Sequence, residues 1–295
     1  MNPKKVDKLA TSVLYVISGI IVVILASLLL YILVRGLPHI SWHFLTSPSK
    51  AYEAGGGIGI QLFNSIFLLV ITMIISFPLS LGAGIYLSEY ANQNSWVTNL
   101  VRTSIEILSS LPSVVVGLFG FLIFVVQFGY GFSIISGALA LTVFNLPLMT
   151  RNVEESLKAV HHTQREGALA LGLSRWETVL HVIVPEALPG IVTGVVLSSG
   201  RIFGEAAALI YTAGQSAPAL DWSNWNPMSV SSPISIFRQA ETLAVHIWKV
   251  NGEGTVPDGA AVSAGASAVL IIFVLLFNFG ARFIGKKIHS KLTAS

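Results

Sequence analysis

Apolar runs separated by short polar stretches set the pattern of this chain, and six of them approach or exceed membrane length. A helix crossing the hydrocarbon core needs roughly 20 predominantly apolar residues. The runs fall at residues 13–34, 60–87, 111–126, 134–149, 187–210 and 262–284. The second contains Pro78 and Gly82, where a helix can kink or bend. The first follows Lys4, Lys5 and Lys8 as a secretory leader would, but it is too long and no A-x-A cleavage site follows it, so it reads as a retained span. The expected fold class is all-α, a polytopic membrane protein with six transmembrane helices. Residues 1–59 form an N-terminal tail, first span and loop. Residues 60–285 form the five-span core, with long loops at 151–186 and 211–261, and 286–295 form a tail.

Composition supports the pattern. Only 11% of the 295 residues are charged, against roughly 25% in soluble domains. Mean hydropathy is +0.75. That supply of charge cannot cover a water-facing globule, which excludes an ordinary soluble enzyme. A net charge of +3 is too small to suggest nucleic-acid binding. With no cysteine there is no disulfide framework, thiolate metal site or cysteine nucleophile.

Placing the basic residues orients the spans, because cytoplasmic loops carry an excess of Lys and Arg. One side collects twelve, including Lys4, Lys8, Arg102, Arg151, Arg165, Arg175 and Lys287. The other collects Arg35, Lys50, Arg238 and Lys249. Both termini and the 151–186 loop are therefore expected in the cytoplasm. The outer loops, 35–59 and 211–261, hold Trp42, Trp222, Trp225 and Trp248. Aromatic residues at headgroup level explain these, and Trp222 with Trp225 can also rim a docking surface.

The cytoplasmic loop contains TQREGALALGLSRWETVLHVIVP at 163–185. Thr163 and Glu166 have the spacing of a capping box, predicting a helix from about Gln164 that stops at Gly172. Ser174 and Glu177 repeat the box and predict a second short helix carrying Trp176, Leu180 and Val182 toward Pro185. Ala168, Leu169 and Leu171 give the first helix a small apolar face. That face either packs back on the spans or fits a groove on another protein, and spacing alone does not choose.

Arg201 is the seventeenth basic residue and falls inside the fifth run. A charge at the centre of a spanning helix costs about 2.5–3.5 kcal/mol even on insertion scales. Counting about 1.5 Å per residue from Ala187 places it past the midplane toward the outside. Glu205 follows four residues later, on the same helix face. Either the two neutralise each other at a helix interface, or the arginine presents its planar fork of donors to an oxyanion with the glutamate orienting it. Gly200 and Gly204 flank them at G-x-x-x-G spacing, as Gly190 and Gly194 do lower down, a spacing that admits a close neighbouring helix.

The loop resembles the EAA loop of ABC importer permeases, which runs E-A-A, three residues, G, nine residues, I-x-L-P. Glu166, Gly167, Ala168, Gly172 and the run Val182-Ile183-Val184-Pro185 occupy that register, with Gly167, Val182 and Val184 as departures. The resemblance extends from about Gln61 to Arg282. It implies a coupling helix in which Glu166, Gly167, Ala168, Leu169, Leu171 and Gly172 seat in a separate ATP-binding subunit. ATP and magnesium would then be held by that partner, and no cofactor by this chain. No G-x-x-x-x-G-K-[ST] sequence is present, in keeping with hydrolysis elsewhere.

RIFGEAAALIYTAG at 201–214 is similar to the segment R-x-x-G-E-T-A-P-L-x-x-T-A-G of PstA-type permeases of phosphate ABC importers, with Ala206 and Ala208 as departures. SLPSVVVGLFG at 110–120 and NLPLMTRNVEESLKAV at 145–160 point the same way. The resemblance implies phosphate as substrate and Arg201, Glu205, Gly200 and Gly204 along its pathway. It also implies a second homologous permease subunit, two copies of an ATP-binding subunit and an extracytoplasmic phosphate-binding protein, all at the cytoplasmic membrane of a prokaryote. The rivals are an importer of sulfate or molybdate in the same family, an ion-coupled secondary carrier and a membrane sensor. His161, His162, Glu89 and Glu106 read as solvated, and His39 with His43 as a poor metal site.

Overall fold

The computed structural model describes residues 3–92, 94–254 and 256–293; residues 1–2 of the expected N-terminal tail and 294–295 of the expected C-terminal tail lie outside them. Among the described residues the regular elements are all helices and helical turns. Five helices are long and apolar enough to cross a membrane, and a sixth candidate is a helix pair bent by 102°. The polytopic all-α expectation is met.

The first span is α1 (Pro3–Gly36), which stands apart from the bundle and packs near its end on the last helix. Gly36 permits that contact, since a Cβ there would lie 2.3 Å from the Ala264 carbonyl oxygen. A short helix α2 (Trp42–Thr46) follows, capped by the Ser41 hydroxyl. The second span is α3 (Gly59–Ile85), prolonged by a wide π-type turn over Tyr86–Tyr90. Its buried positions, Gln61, Asn64, Ser65, Leu68, Thr72, Ser76, Ser80 and Gly84, recur at three- and four-residue spacing and form one stripe. α6 (Ile134–Lys158) is its main neighbour. Small side chains let the two backbones approach, and packing rather than water exclusion drives association in lipid. Gly84 shows the tolerance: a Cβ there would sit 2.5 Å from Val153 Cγ1.

Two departures from the sequence reading matter. The third run does not begin a span at residue 111. An amphipathic helix α4 (Trp96–Ser110) comes first, then a break at Leu111–Pro112, then α5 (Ser113–Gly120) with a π-type turn to Gln127. Proline disfavours helical backbone in the residue before it, and Leu111 is extended at φ −65°, ψ 135°. The fifth run differs at both ends. After α7 (His162–Ala170), α8 (Arg175–Thr178) passes through a π-type turn at Val179–Ile183 into α9 (Val184–Gly204), a continuous 30-residue span. Pro185 does not end a separate helix, because the span takes it up just past the π-type turn at Val179–Ile183. The span stops at Gly204, six residues before the apolar run does, and a short α10 (Ala207–Thr212) follows.

The 211–261 loop folds over the end of the bundle opposite α7. Its strand-like stretch near 236–240 supplies carbonyls to the first amides of α6, Ile134 and Ile135. α11 (Leu243–Glu253) then starts at a Thr242 cap and ends at Gly254, whose φ of +62° suits glycine. The last span, α12 (Gly259–Thr293), continues through the segment expected to be a separate tail. Phe203 of α9 stacks on Phe273 of α12 at 4.2 Å in the larger core cluster. A second cluster of Ile85, Val153, Leu157, Val179 and Ile183 lies near the α7 end.

Candidate functional site

Two regions carry the chemistry, the loop around α7 and the end of α9. At the loop, the second capping box forms in both directions. Glu177 N–H donates to Ser174 Oγ at 3.3 Å, and Ser174 N–H to Glu177 Oε2 at 2.8 Å. These bonds to the ionised form hold the Glu177 carboxyl below the usual range. The first box does not form. α7 begins after His161, which places Thr163 inside the first turn, and Thr163 Oγ1 lies 2.9 Å from His161 Nδ1. The C-terminal prediction holds: Gly172 has φ +87°, its N–H bonds to the Leu169 carbonyl, and Leu173 N–H bonds to that of Ala168. This is the Schellman arrangement.

The apolar knob is smaller than expected. Leu171 is 86% exposed and Leu169 46%, whereas Ala168 is buried. Ala168 lies one turn from Arg165, and that face turns toward the bundle. Arg165 Nη2 donates to Glu89 Oε1 at 2.7 Å and to the Leu157 carbonyl at 3.0 Å. Glu89, expected to be solvated, is therefore a mostly buried ion-pair partner. Glu166 and Gly167 sit on the open side, and a Cβ on Gly167 would meet nothing within 4 Å.

At the other region Arg201 occupies the last turn of α9, where the carbonyl end of the helix favours a cation. Its guanidinium carbon lies 3.7 Å from the centre of the Phe144 ring. Glu205 is not on the same helix face, because the helix has ended: Glu205 is extended at φ −75°, ψ 125°. Its Oε1 accepts the Ala208 N–H at 3.2 Å and so opens α10. Arg201 and Glu205 form no ion pair. The close helix approach belongs to the lower glycines, with Gly190 against Ser156 and Gly194 against Asn152 of α6. Gly200 has Val274 at 3.8 Å from a built Cβ, and Gly204 faces open space.

The family profile of the binding-protein-dependent transport system inner membrane component matches residues 80–293. The chain belongs to this family. It is 53% identical over 295 residues, all of both chains, to the probable ABC transporter permease protein YqgI of Bacillus subtilis (strain 168). It is 33% identical over 248 residues to the phosphate transport system permease protein PstA of Xylella fastidiosa (strain 9a5c), covering 84% of this chain and 81% of that one. To the phosphate transport system permease protein PstA 2 of Mycobacterium tuberculosis (strain CDC 1551 / Oshkosh) it is 33% identical over 261 residues, 87% of this chain and 80% of that one. Among solved structures, a chain of a bacterial alginate ABC transporter aligns at TM-score 0.66 and 13% identity, over 97% of this chain and 96% of that one. The MetNI methionine ABC transporter aligns at TM-score 0.57 and 19% identity, over 79% and 94%. These confirm the ABC importer permease fold.

Sequence patterns gave no sign of three polar clusters in this permease. Glu154 of α6 binds Arg102 of α4 and Lys158, each at 2.6 Å. Glu241 is buried and accepts Gln61 Nε2 at 2.9 Å, with His246 Nδ1 at 3.2 Å and Lys249 Nζ at 3.8 Å. Arg238, counted above as an outer-loop charge, is 1% exposed and donates to the carbonyls of Pro233 and Gln239. Burial alone pushes its guanidinium down to about 10. Arg102 lies 52 residues from Glu154 and Gln61 lies 180 from Glu241, separations that leave no periodic trace, and among the described residues Arg238 has no charged partner to search for.

Proposed function

We propose that this permease is the transmembrane subunit of an ATP-driven importer of inorganic phosphate. The observation that carries the reading is a membrane-depth arginine with no carboxylate at ion-pair distance among the described residues, at the end of α9, within a segment resembling that of phosphate permeases. Arg201 is half-buried and backed by the Phe144 ring. It offers a doubly or singly charged oxyanion a planar fork of donors in a setting of low dielectric. Glu205 does not compete for that fork, since it is committed to the Ala208 amide.

On this reading α7 is the coupling helix. Glu166, Gly167, Leu169 and Leu171 face an ATP-binding subunit, while Ala168 and Gly172 fix the helix against its own chain and set its end. Both termini lie on that cytoplasmic side. The partners are a second homologous permease chain, two ATP-binding subunits that hold ATP and magnesium, and an extracytoplasmic phosphate-binding protein docking over the 211–261 loop. Closure of the ATPase dimer moves the coupling helices together, and the continuous Arg175–Gly204 span carries that motion to Arg201. Alternating exposure of the arginine to the two sides follows.

The test is uptake by the reconstituted complex. Arg201→Gln is expected to abolish phosphate uptake while the subunits still co-purify, and uptake at the parental rate by that variant sinks the assignment. Sulfate or molybdate uptake exceeding phosphate uptake in the same vesicles favours the other oxyanion reading. Uptake driven by an ion gradient without ATP favours a secondary carrier.

A further inference from the structure

We propose that Glu89 and Arg165 are positioning residues that tie α7 to α3, making α3 the link between the coupling helix and the outer loop. The inference rests on the reading of α7 as the ATPase contact, and extends it to a second route of transmission. The covalent route runs through Gly172 and α8 into α9. The ion pair opens another, into a different span.

Geometry supports the pair at both ends of α3. Near α7, Arg165 bridges Glu89 at 2.7 Å and the Leu157 carbonyl at 3.0 Å, with both ionic side chains mostly buried. Removing one partner of a buried pair leaves the other charge uncompensated, so the contact resists separation. The surroundings are loosely packed: a cavity of about 200 Å³ is lined by Glu89, Arg165, Leu169, Arg175 and Thr178. Motion of α7 therefore reaches the end of α3 chiefly through the ion pair. At the opposite end, three bonds fasten α3 to the outer loop. Gln61 donates to the Glu241 carboxylate at 2.9 Å, Asn64 to the Glu241 carbonyl at 3.0 Å, and Leu243 N–H donates to Ser65 Oγ at 2.8 Å. Residues 61 and 89 are separated by about 42 Å of helix.

The middle of α3 is suited to moving as a unit. Thr72 and Ser80 are buried on its packed stripe, and their hydroxyls have no hydrogen-bond partner. Ser76 reaches only the Met73 sulfur of its own helix, at 3.9 Å. The seam along this stretch is held by packing, so a small shift of α3 breaks no directional bond there. Its two ends are latched and its middle is not.

The test uses the assembled complex in vesicles. The chain has no cysteine, so Tyr52→Cys places a single thiol in the outer cavity that Glu241 and His246 also line. In the Tyr52→Cys parent the alkylation rate of that thiol is expected to change on adding nucleotide. Glu89→Gln should remove the change and lower uptake per ATP hydrolysed by about tenfold, within the range typical of coupling free energies. The exchanged pair Glu89→Arg with Arg165→Glu should restore both. If Glu89→Gln does not assemble, Arg165→Gln serves as the single variant. A parent thiol indifferent to nucleotide overturns the proposal. So does an undiminished response in the single variant, or a loss that the exchange does not repair. Absence of phosphate uptake with the thiol response intact sinks the substrate reading alone.

Discussion

Arg201 and Arg238 are both arginines with no carboxylate at ion-pair distance among the described residues, yet their settings call for opposite expectations. Arg201 lies at a helix end, half-buried, against one ring. Its value depends on the shape of its donor fork, so Arg201→Lys, which keeps the charge, should still cost most of the uptake. Parental uptake by the lysine variant would show that charge alone suffices. Arg238 is enclosed by its own loop, and burial holds it at about 10. The folded guanidinium thus binds its proton less tightly than the unfolded one. Between about pH 10 and the ordinary arginine range the unfolded state carries more protons, so stability rises with pH across that window. Below it, protonated Arg238 subtracts from stability. The purified chain should gain melting temperature relative to Arg238→Met on going from about pH 9 to about pH 11, both below the ordinary arginine range. A constant difference between the two proteins contradicts this.

At the scale of single elements, the loop around α7 shows what local sequence can and cannot specify. Ser174 and Glu177 form their box because the chain is extended at Ser174, with φ −66° and ψ 162°, and the helix starts directly after it. Thr163 and Glu166 have equal spacing, but the helix has already begun at His162, so the Glu166 amide that Thr163 would cap belongs to the helix's own i→i−4 ladder. Glu177 makes the surviving box pH-dependent. Its carboxyl is held low in the folded loop, so its contribution is complete above the ordinary carboxylate range and is lost as pH falls through the lowered value. Protection of the Ser174 amide from exchange, taken relative to its intrinsic rate at each pH, should fall on acidification, and Ser174→Ala should flatten that dependence. Gly172 is more demanding: at φ +87° an alanine costs about 1–2 kcal/mol. Gly172→Ala is expected to lower the melting temperature, whereas Gly167→Ala, inside the helix with open space around it, should raise it slightly, since alanine is favoured over glycine there. Hydropathy also missed α4, whose apolar residues lie along one side, and the stop at Glu205, since the apolar run continues through it. The helix ends there fall at single residues, Leu111–Pro112 and Glu205, whose effect on backbone direction is lost when hydropathy is averaged over a window.

For the whole molecule, the spans and their approximate limits were legible because lipid imposes one length on every crossing helix. Their mutual packing was not. The two G-x-x-x-G pairs of α9 read identically in sequence, yet the structure gives them different neighbours. Gly190 and Gly194 press on α6, while Gly204 faces nothing in this chain. Helix geometry supplies the reason: ten residues turn the helix through about 1000°, so the upper pair points about 80° away from the lower. The lower pair therefore serves the fold of this subunit, and Gly204 of the upper pair is open to a neighbour outside it. Gly194→Leu must displace Asn152, whose Cβ lies 2.8 Å from the built position, and should destabilise the isolated chain. Gly204→Leu should leave the isolated chain's melting temperature unchanged but reduce recovery of the second permease subunit on co-purification. Equal loss of stability in the two variants would place Gly204 inside this chain's own core. Undiminished recovery with Gly204→Leu would move the subunit interface elsewhere.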